Sequence, residues 1–375
     1  MAINPEIFYD EIARHGVELF TGVPDSLLKE FCLCVDDRVS QNTHIIAANE
    51  GNAIAIAAGH YLAKRSIPLV YMQNSGLGNA INPLLSLCDP DVYSIPLLLM
   101  IGWRGEPGFK DEPQHVKQGK IQIDLMHTLG IPYEIISKDV IDYTSKISIC
   151  IEMAKSKNRP TALLIKKGTF DKYNNETLVA EKNQMKREEA LEIILGNLDE
   201  NTIVVSTTGK TSREIFEIRQ KNDQTHEQDF LTVGSMGHCS SIALGIAMAK
   251  PNRNVVCIDG DGAMLMHLGS LTTIANLKLN NFRHILMNNE VHESVGGQKT
   301  AAQDINLSAV INAMGTYKLF KAESPSELKL ITTEFLSCTG PAFLEVKIKP
   351  GSRDDLGRPT ITPANNKEKF MRFLD

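Results

Sequence analysis

The sequence predicts an α/β protein made of two doubly wound domains, each built around a parallel sheet. Three observations lead there. Segments of helix and strand character alternate along all 375 residues, the pattern of parallel sheets with helices on both faces. Apolar runs of strand length, such as 69–72 and 255–258, open directly into glycine-bearing turns. The two halves also echo each other, since a small-residue helix (52–59 and 240–249) precedes an apolar strand, a glycine turn and another helix in each.

Taken in order, residues 5–15 read as a helix and 19–23 as a short strand and turn. Residues 52–62 form an Ala-rich helix, Ala being the strongest helix former. The strand 69–72 enters the polar turn 73–79, a second apolar strand covers 96–102, and 162–166 closes the first half. Residues 171–186 are rich in Asn, Lys and Glu and poor in apolar side chains, which reads as a solvated linker. The second half opens with a helix near Arg187, followed by strands at 203–206, 255–258, 285–287 and 342–348. The predicted domains are therefore 1–170 and 187–350, with a polar tail at 351–375.

Composition narrows the class of function. A net charge of −6 disfavours bulk nucleic-acid binding, so an anionic substrate would need a local basic pocket. The seven cysteines lack metal-binding spacing and fit reduced thiols in the cytoplasm, the expected location. The N-terminus has no basic and apolar leader pattern, and no segment reaches the ~18 apolar residues of a membrane span.

The chemistry-bearing motif is Gly260-Asp261-Gly262, followed after 25 residues by Asn288-Asn289 at the end of a strand. It puts a carboxylate and a carboxamide at the carboxyl ends of two strands, where open parallel sheets bind ligands. Mg²⁺ takes oxygen ligands in near-octahedral geometry, and such a pair leaves room for two phosphate oxygens. Gly260 and Gly262 let backbone N–H groups approach a diphosphate, and the helix beginning near Ala263 directs its positive end at the anion. Asp-Gly is also ordinary turn chemistry, and either Asn satisfies the ligand requirement on sequence grounds. Ala263 and Met264 exclude an EF-hand loop, and no P-loop is present.

These residues resemble the thiamine-diphosphate-dependent decarboxylases, and the likeness covers nearly the whole chain. Ala48-Asn49-Glu50-Gly51-Asn52-Ala53 is similar to the segment carrying that family's cofactor-activating glutamate. Gly234-Ser235-Met236-Gly237 is similar to the loop that holds the aminopyrimidine. The central domain of the larger members is replaced by the short linker. That layout, with 20–26, 73–83, 111–115 and 351–359, resembles the branch acting on pyruvates that carry an anionic 3-substituent.

The resemblance implies a pyrimidine-binding first domain, a diphosphate-binding second domain, and the cofactors thiamine diphosphate and Mg²⁺. It implies Asp261, Asn289 and the Val291 carbonyl as metal ligands, the second Asn being the family's choice. Gly260, Asp261, Gly262, Ala263, Thr208, Gly209 and Asn74 join the cofactor set. Gly234, Ser235 and Met236 belong there too, with Met236 as the wedge that bends the cofactor. Glu50 is expected to hydrogen-bond the aminopyrimidine N1′, with a raised pKa suited to proton exchange; a cap on the Ala-rich helix is the alternative.

His115, in a polar loop, is the candidate proton donor after CO2 leaves. Asp25 and Ser26 either reach the substrate or cap a helix. The anionic substituent needs charge-assisted donors, for which the tail pair Arg353 and Arg358 is the first choice, with Arg104, Lys110 and Lys117 as the next candidates. The implied reaction is decarboxylation of a 3-phosphono-substituted pyruvate to phosphonoacetaldehyde; a sulfonate analogue is the close alternative. A Mg²⁺-dependent nucleotide-binding module is the alternative from a different class, and it leaves Glu50 unexplained. The expected partners are a small anionic 2-oxo acid and further copies of the chain, a homodimer or larger assembly with active sites between subunits. No nucleic acid or membrane is expected.

Overall fold

A computed structural model describes residues 2–40, 42–174 and 185–375. The chain forms two compact units, Met1–Leu178 with Val295–Gln298, and Val179–Ser294 with Lys299–Asp375. Most of the expected linker, 175–184, lies outside the described residues.

The first unit runs α1 (Pro5–Arg14), β1 (Phe20–Gly22), α2 (Lys29–Arg38), β2 (His44–Ile46), α3 (Glu50–Lys64), β3 (Leu69–Gln73), α4 (Leu77–Pro83) and β4 (Leu98–Gly102). It continues with α5 (Pro113–Lys120), α6 (Gln122–Thr128), β5 (Tyr133–Ile136), α7 (Tyr143–Lys157) and β6 (Thr161–Ile165). The second runs α8 (Arg187–Leu195), β7 (Ile203–Ser206), α9 (Lys210–Lys221), β8 (Asp229–Leu231), α10 (Cys239–Ala249), β9 (Val255–Gly260) and α11 (Asp261–Met266). Then follow α12 (Ser270–Leu277), β10 (Phe282–Asn288), α13 (Leu307–Ala313), β11 (Lys318–Ala322), α14 (Pro325–Ser337), β12 (Ala342–Lys347) and α15 (Pro363–Leu374).

Each unit holds one six-stranded sheet, ordered β2-β1-β3-β4-β6-β5 in the first and β11-β12-β10-β9-β7-β8 in the second. Read from its other edge and renumbered from its own first strand, the second order is the same as the first. All named strand pairs are parallel. The echo between the halves is thus a shared topology.

Alternation builds two apolar layers on each sheet, because successive strand residues face opposite sides. In the first unit Tyr71, Met100 and Leu163 join Phe8, Phe31 and Ile151 on one face. Val70, Leu99 and Leu164 join Ile54, Leu84 and Met126 on the other. Strands apolar on both faces are what a doubly covered parallel sheet requires.

Three local readings change. Helix α3 begins at Glu50 rather than 52, because the Asn49 side chain caps it, accepting from the Asn52 N–H at 2.9 Å. His115 lies in α5 rather than in a loop; Pro113 occupies the first turn, where a missing N–H costs nothing. The tail contains α15, opened by Thr362 as its cap and a proline in its first turn. Its Asn366 donates to the Asp229 carbonyl at 2.9 Å, and its Phe370 is buried in the apolar layer with Val205 and Phe343. Replacing Phe370 with Ala should therefore cost about 3 kcal/mol. In thermal unfolding that should appear as a loss of roughly 6–12 °C; an unchanged transition would mean α15 does not complete the core.

Candidate active site

In each sheet the chain reverses its lateral order next to the first strand of the unit. Such a reversal leaves a crevice outside the carboxyl ends of the strands. In the first unit it lies between β1 and β3. Asp25 follows β1 and Gln73 ends β3, and the Gln73 amide donates to Asp25 Oδ1 at 2.6 Å. The Leu27 N–H donates to Asp25 Oδ2 at 3.0 Å, so Asp25 closes its own turn and does not cap α2, whose cap is Leu28. Asp25 is fully buried, and burial raises its pKa against the bonds from Gln73 and Leu27. A side chain on Gly102 would place its Cβ 2.0 Å from Asp25 Oδ2, so only glycine at the end of β4 admits this acid.

Arg104 stands next to this group. Its Nη1 donates to Ser26 Oγ at 2.9 Å, while Nε and Nη2 fork onto Asp111 at 2.8 and 2.5 Å. Burial opposes the charge on Asp111, but hydrogen bonds from Arg104, Glu112 and Gly105 hold its carboxyl well below the usual range. Asn74, expected to meet the cofactor, ties two strand ends. Its Nδ2 donates to the Arg104 carbonyl at 2.8 Å and its Oδ1 accepts the Arg104 N–H at 3.2 Å, joining the ends of β3 and β4. Both ends of its amide are therefore taken up within the chain. His115 is half-buried on α5, and Lys110 and Lys117 are exposed.

Glu50 is 5 % exposed at the first position of α3. Its Oε2 accepts from Asn79 Nδ2 at 2.8 Å. Burial raises its pKa, and the Asn79 bond only partly offsets that. Its Oε1 lies against Gly76, where an added Cβ would come within 2.3 Å. With the cap assigned to Asn49, the Glu50 carboxyl is an acid held out of water, which suits an exchange of protons with a neutral ring nitrogen.

In the second unit the corresponding reversal lies between β7 and β9. Asp261 follows β9 directly and is 2 % exposed. Its Oδ2 accepts from Thr300 Oγ1 at 2.5 Å. Burial pushes its pKa up to about 6, against hydrogen bonds from Thr300 and from the Gly262 and Asn289 backbones. Gly260 ends β9, and Gly262 and Ala263 lie in α11, which starts at Asp261 rather than near 263.

The two asparagines have different surroundings. Asn288 is wholly buried and donates to Glu345 Oε1 at 2.8 Å. Asn289, one residue beyond β10, accepts the Val291 N–H on Oδ1 at 3.2 Å and donates from Nδ2 to Glu293 Oε2 at 3.0 Å. Thr208 and Gly209 form the turn after β7, with Gly209 at a φ of 96° capping α9. Gly234, Ser235 and Met236 precede α10, and Ser235 holds a left-handed φ of 57°.

Arg353 is placed differently from what the sequence suggested for a substrate ligand. Its guanidinium is taken up by Glu188 at 3.0 Å, by Asp355 at 2.8 Å and by Glu217. Glu188 is on α8 and Glu217 lies well into α9, beyond its start at Lys210, so the pairs pin the tail alongside the helices. Arg358 is exposed.

Sequence reading missed Gln73 and Asn79 as partners of Asp25 and Glu50, though both fall in the polar turn and helix after β3. It also missed Thr300 and Glu293. These sit on the irregular segment after β10, which has no periodicity, and its paired glycines Gly296 and Gly297 were the available signal.

The residues fit both expected groups. Asp261 after β9, and Asn289 and the Val291 carbonyl after the neighbouring β10, supply an all-oxygen donor set, as Mg²⁺ requires, and the Asn289 N–H donates to the Asp261 carboxyl. Buried Glu50 supplies a hydrogen-bonding acid for an aminopyrimidine. Sequence comparison agrees. Residues 5–127 match the "Thiamine pyrophosphate enzyme, N-terminal TPP binding domain", and residues 207–346 the "Thiamine pyrophosphate enzyme, C-terminal TPP binding domain". The chain belongs to the thiamine pyrophosphate enzymes, and thiamine diphosphate is its cofactor.

Among its relatives is a phosphonopyruvate decarboxylase of Streptomyces viridochromogenes, 34 % identical over 96 % of this chain and 92 % of that one. A phosphonopyruvate decarboxylase of Streptomyces hygroscopicus is 33 % identical over 96 % and 90 %. A sulfopyruvate decarboxylase of Methanosarcina acetivorans is 28 % identical over 100 % and 98 %. Among the described residues no helix is long and apolar enough to cross a membrane.

The raised pKa of Asp261 has a measurable sign. A carboxyl that holds its proton more tightly when folded favours the folded state below about pH 4, and that contribution is lost as pH rises through about 6. In chelator-treated protein, Asp261→Asn should therefore be more stable than the parent at pH 7–8, by on the order of 2–3 kcal/mol. The gap should close below pH 4. Thermal unfolding across pH measures it, and a gap that does not change with pH would mean Asp261 is not held in a dry site.

Proposed function

We propose that this protein decarboxylates 3-phosphonopyruvate to phosphonoacetaldehyde and CO2, using thiamine diphosphate and Mg²⁺. The observation that carries the reading is similarity at 34 % identity along 96 % of the chain to a decarboxylase of that substrate. The buried acids at the crevice of each unit, Glu50 and Asp261, support it. When bound, the cofactor supplies the electron sink for the breaking carbon–carboxylate bond.

The chain's own residues do the rest. Asp261, Asn289 and the Val291 carbonyl hold Mg²⁺, and the backbone of Gly260, Gly262 and Ala263 approaches the diphosphate. Thr208, Gly209, Gly234, Ser235 and Met236 line the cofactor. Asn288, turned onto Glu345, is the less suitable of the two asparagines. Glu50 exchanges a proton with N1′. His115 is the candidate proton donor to the reacting carbon, and Asp25, a buried acid whose pKa burial raises, stands with Ser26 where it can reach the substrate.

Arg104 with Ser26 is favoured for the phosphonate, since both stand at the carboxyl ends of strands; Lys110, Arg353 and Arg358 are less well placed. The assembly is read as a homodimer or larger homo-oligomer whose active sites draw on more than one subunit. That accords with the domain pair of this family, and with relatives named as separate sulfopyruvate decarboxylase alpha and beta subunits.

The full-length sulfopyruvate decarboxylase relative supports a sulfonate substrate as the second reading. Side-by-side steady-state assays with phosphonopyruvate, sulfopyruvate and pyruvate decide between them. The highest kcat/KM is expected for phosphonopyruvate, and a preference for the sulfonate would transfer the assignment.

Glu50→Gln should slow hydrogen–deuterium exchange at the cofactor's thiazolium C2 by at least ~10²-fold, within the range of general acid–base contributions. Normal exchange in the variant would remove Glu50 from the mechanism. Arg104→Lys keeps a charge opposite Asp111 but loses the Nη1 donor beside Ser26. It should raise KM for phosphonopyruvate by about tenfold, as expected from losing a charged hydrogen bond of roughly 1.5 kcal/mol or more. Arg353→Ala should leave KM unchanged; a raised KM there would restore the tail to the substrate site.

A further inference from the structure

We infer that Glu293 is the positioning residue of the metal site: it decides which end of the Asn289 amide faces Mg²⁺. The inference rests on the reading of Asn289 as a metal ligand. An amide has a donor end and an acceptor end of nearly equal shape, and only the oxygen can bind a cation. An ionised carboxylate only accepts hydrogen bonds. Glu293 Oε2 lies 3.0 Å from Asn289 Nδ2, so the NH2 end is turned to Glu293 and Oδ1 is left for the other side. The Val291 N–H, 3.2 Å from Oδ1, agrees with that orientation.

Glu293 is itself held in place by two cations. Arg187 Nη1 donates to Oε2 at 2.9 Å and Lys210 Nζ to Oε1 at 2.7 Å. The rest of the Arg187 fork is fixed on Glu214, at 2.7 and 2.9 Å. Lys210 opens α9 immediately after the Thr208-Gly209 turn, and Arg187 opens α8. One carboxylate thus ties the loop bearing Asn289 to the start of the helix that follows the cofactor-lining turn. Outer partners that orient a metal ligand typically change metal affinity by 10–100-fold when removed.

The test measures Mg²⁺ binding by calorimetry in the presence of saturating thiamine diphosphate, alongside thermal unfolding of the metal-free proteins. Glu293→Gln should weaken Mg²⁺ about tenfold or more, because a glutamine can present its own NH2 to Asn289. Glu214→Gln perturbs the same buried arginine without touching Asn289, and should keep Mg²⁺ affinity within about threefold. Asn289→Asp is the decisive variant. By charge alone a second carboxylate should tighten Mg²⁺; facing Glu293 it loses its donor, so affinity should fall instead. The double variant Asn289→Asp with Glu293→Gln restores a donor opposite the carboxylate and should recover most of the loss.

A Glu293→Gln protein with parental affinity, or an equal loss in Glu214→Gln, overturns the inference. Tighter binding in Asn289→Asp alone overturns it as well, and does so even if Glu293→Gln does not fold. Asp261→Ala separates the two levels of argument. If that variant binds Mg²⁺ normally, the metal site itself is misplaced; if it loses Mg²⁺ while the Glu293 variants do not, only the positioning role fails.

Discussion

Holding a carboxyl group out of water at the edge of a parallel sheet is the constraint on which this protein depends. A carboxylate removed from water must gain a partner or a proton, because isolated buried charge is too costly to persist. The chain builds that situation in each unit. Glu50 is left with the Asn79 amide, and Asp261 with Thr300 and backbone N–H groups. Neither arrangement neutralises the acid, and burial raises the pKa of both. Each acid is therefore open to a second group, and the proposed ones are a ring nitrogen that shares a proton with Glu50 and a divalent cation at Asp261. The scaffold supports this through small residues that let the side chains in, with Gly76 against Glu50 and Gly102 against Asp25.

Burial by itself does not mark a site in this molecule. Arg219 and Asp229 are as buried as Asp261, yet they neutralise each other at 3.0 Å. Cys257, Asp259 and His284 gather between β9 and β10 with no exposure at all. They lie within the sheet, however, with His284 edge-on to Phe343 at 5.2 Å, and Asp259 turned to the Gly260 N–H at 2.9 Å. What separates Asp25 and Asp261 from these is topology. Each follows a strand at the point where the strand order reverses, so each faces the crevice and not the core.

Much of this was legible in the sequence because the central strands are apolar on both faces and run into polar, glycine-bearing turns. The runs 69–72 and 255–258 are of that kind, and the motifs sit where they stop. The repeated topology was only faintly legible, since it depends on lateral strand order, which leaves no local pattern. His115 was read in a loop because Asp111, Glu112 and Gln114 are polar, whereas Pro113 was the start of a helix. The tail was read as polar for a similar reason: α15 has an exposed polar face, and its apolar contribution is concentrated in residues such as Phe370. The long-range partners Asn79, Thr300 and Glu293 could not be read at all, because their roles come from tertiary distances. Arg353 is the reverse case. Its glycine- and proline-flanked setting resembled a binding loop, but three nearby carboxylates, including two from distant helices, take up its charge.

Charge in the second unit is gathered, among the described residues, into buried networks that leave Asp261 without a cationic partner. Arg187 and Lys210 balance Glu214 and Glu293 in a buried network of hydrogen-bonded pairs. Buried pairs of this kind contribute little net stability, since desolvation offsets most of their attraction. Their effect here is geometric, because they fix the loop after β10 without adding net charge to it. Lys347, near the same loop, is paired with both Glu290 and Glu345. Among the described residues no cationic side chain is paired with Asp261, the acid at the point of the turn. On the reading of Asp261 as a metal ligand, a cation there would meet a carboxylate with no cationic partner, and the neighbouring amide and carbonyl oxygens would set the coordination geometry.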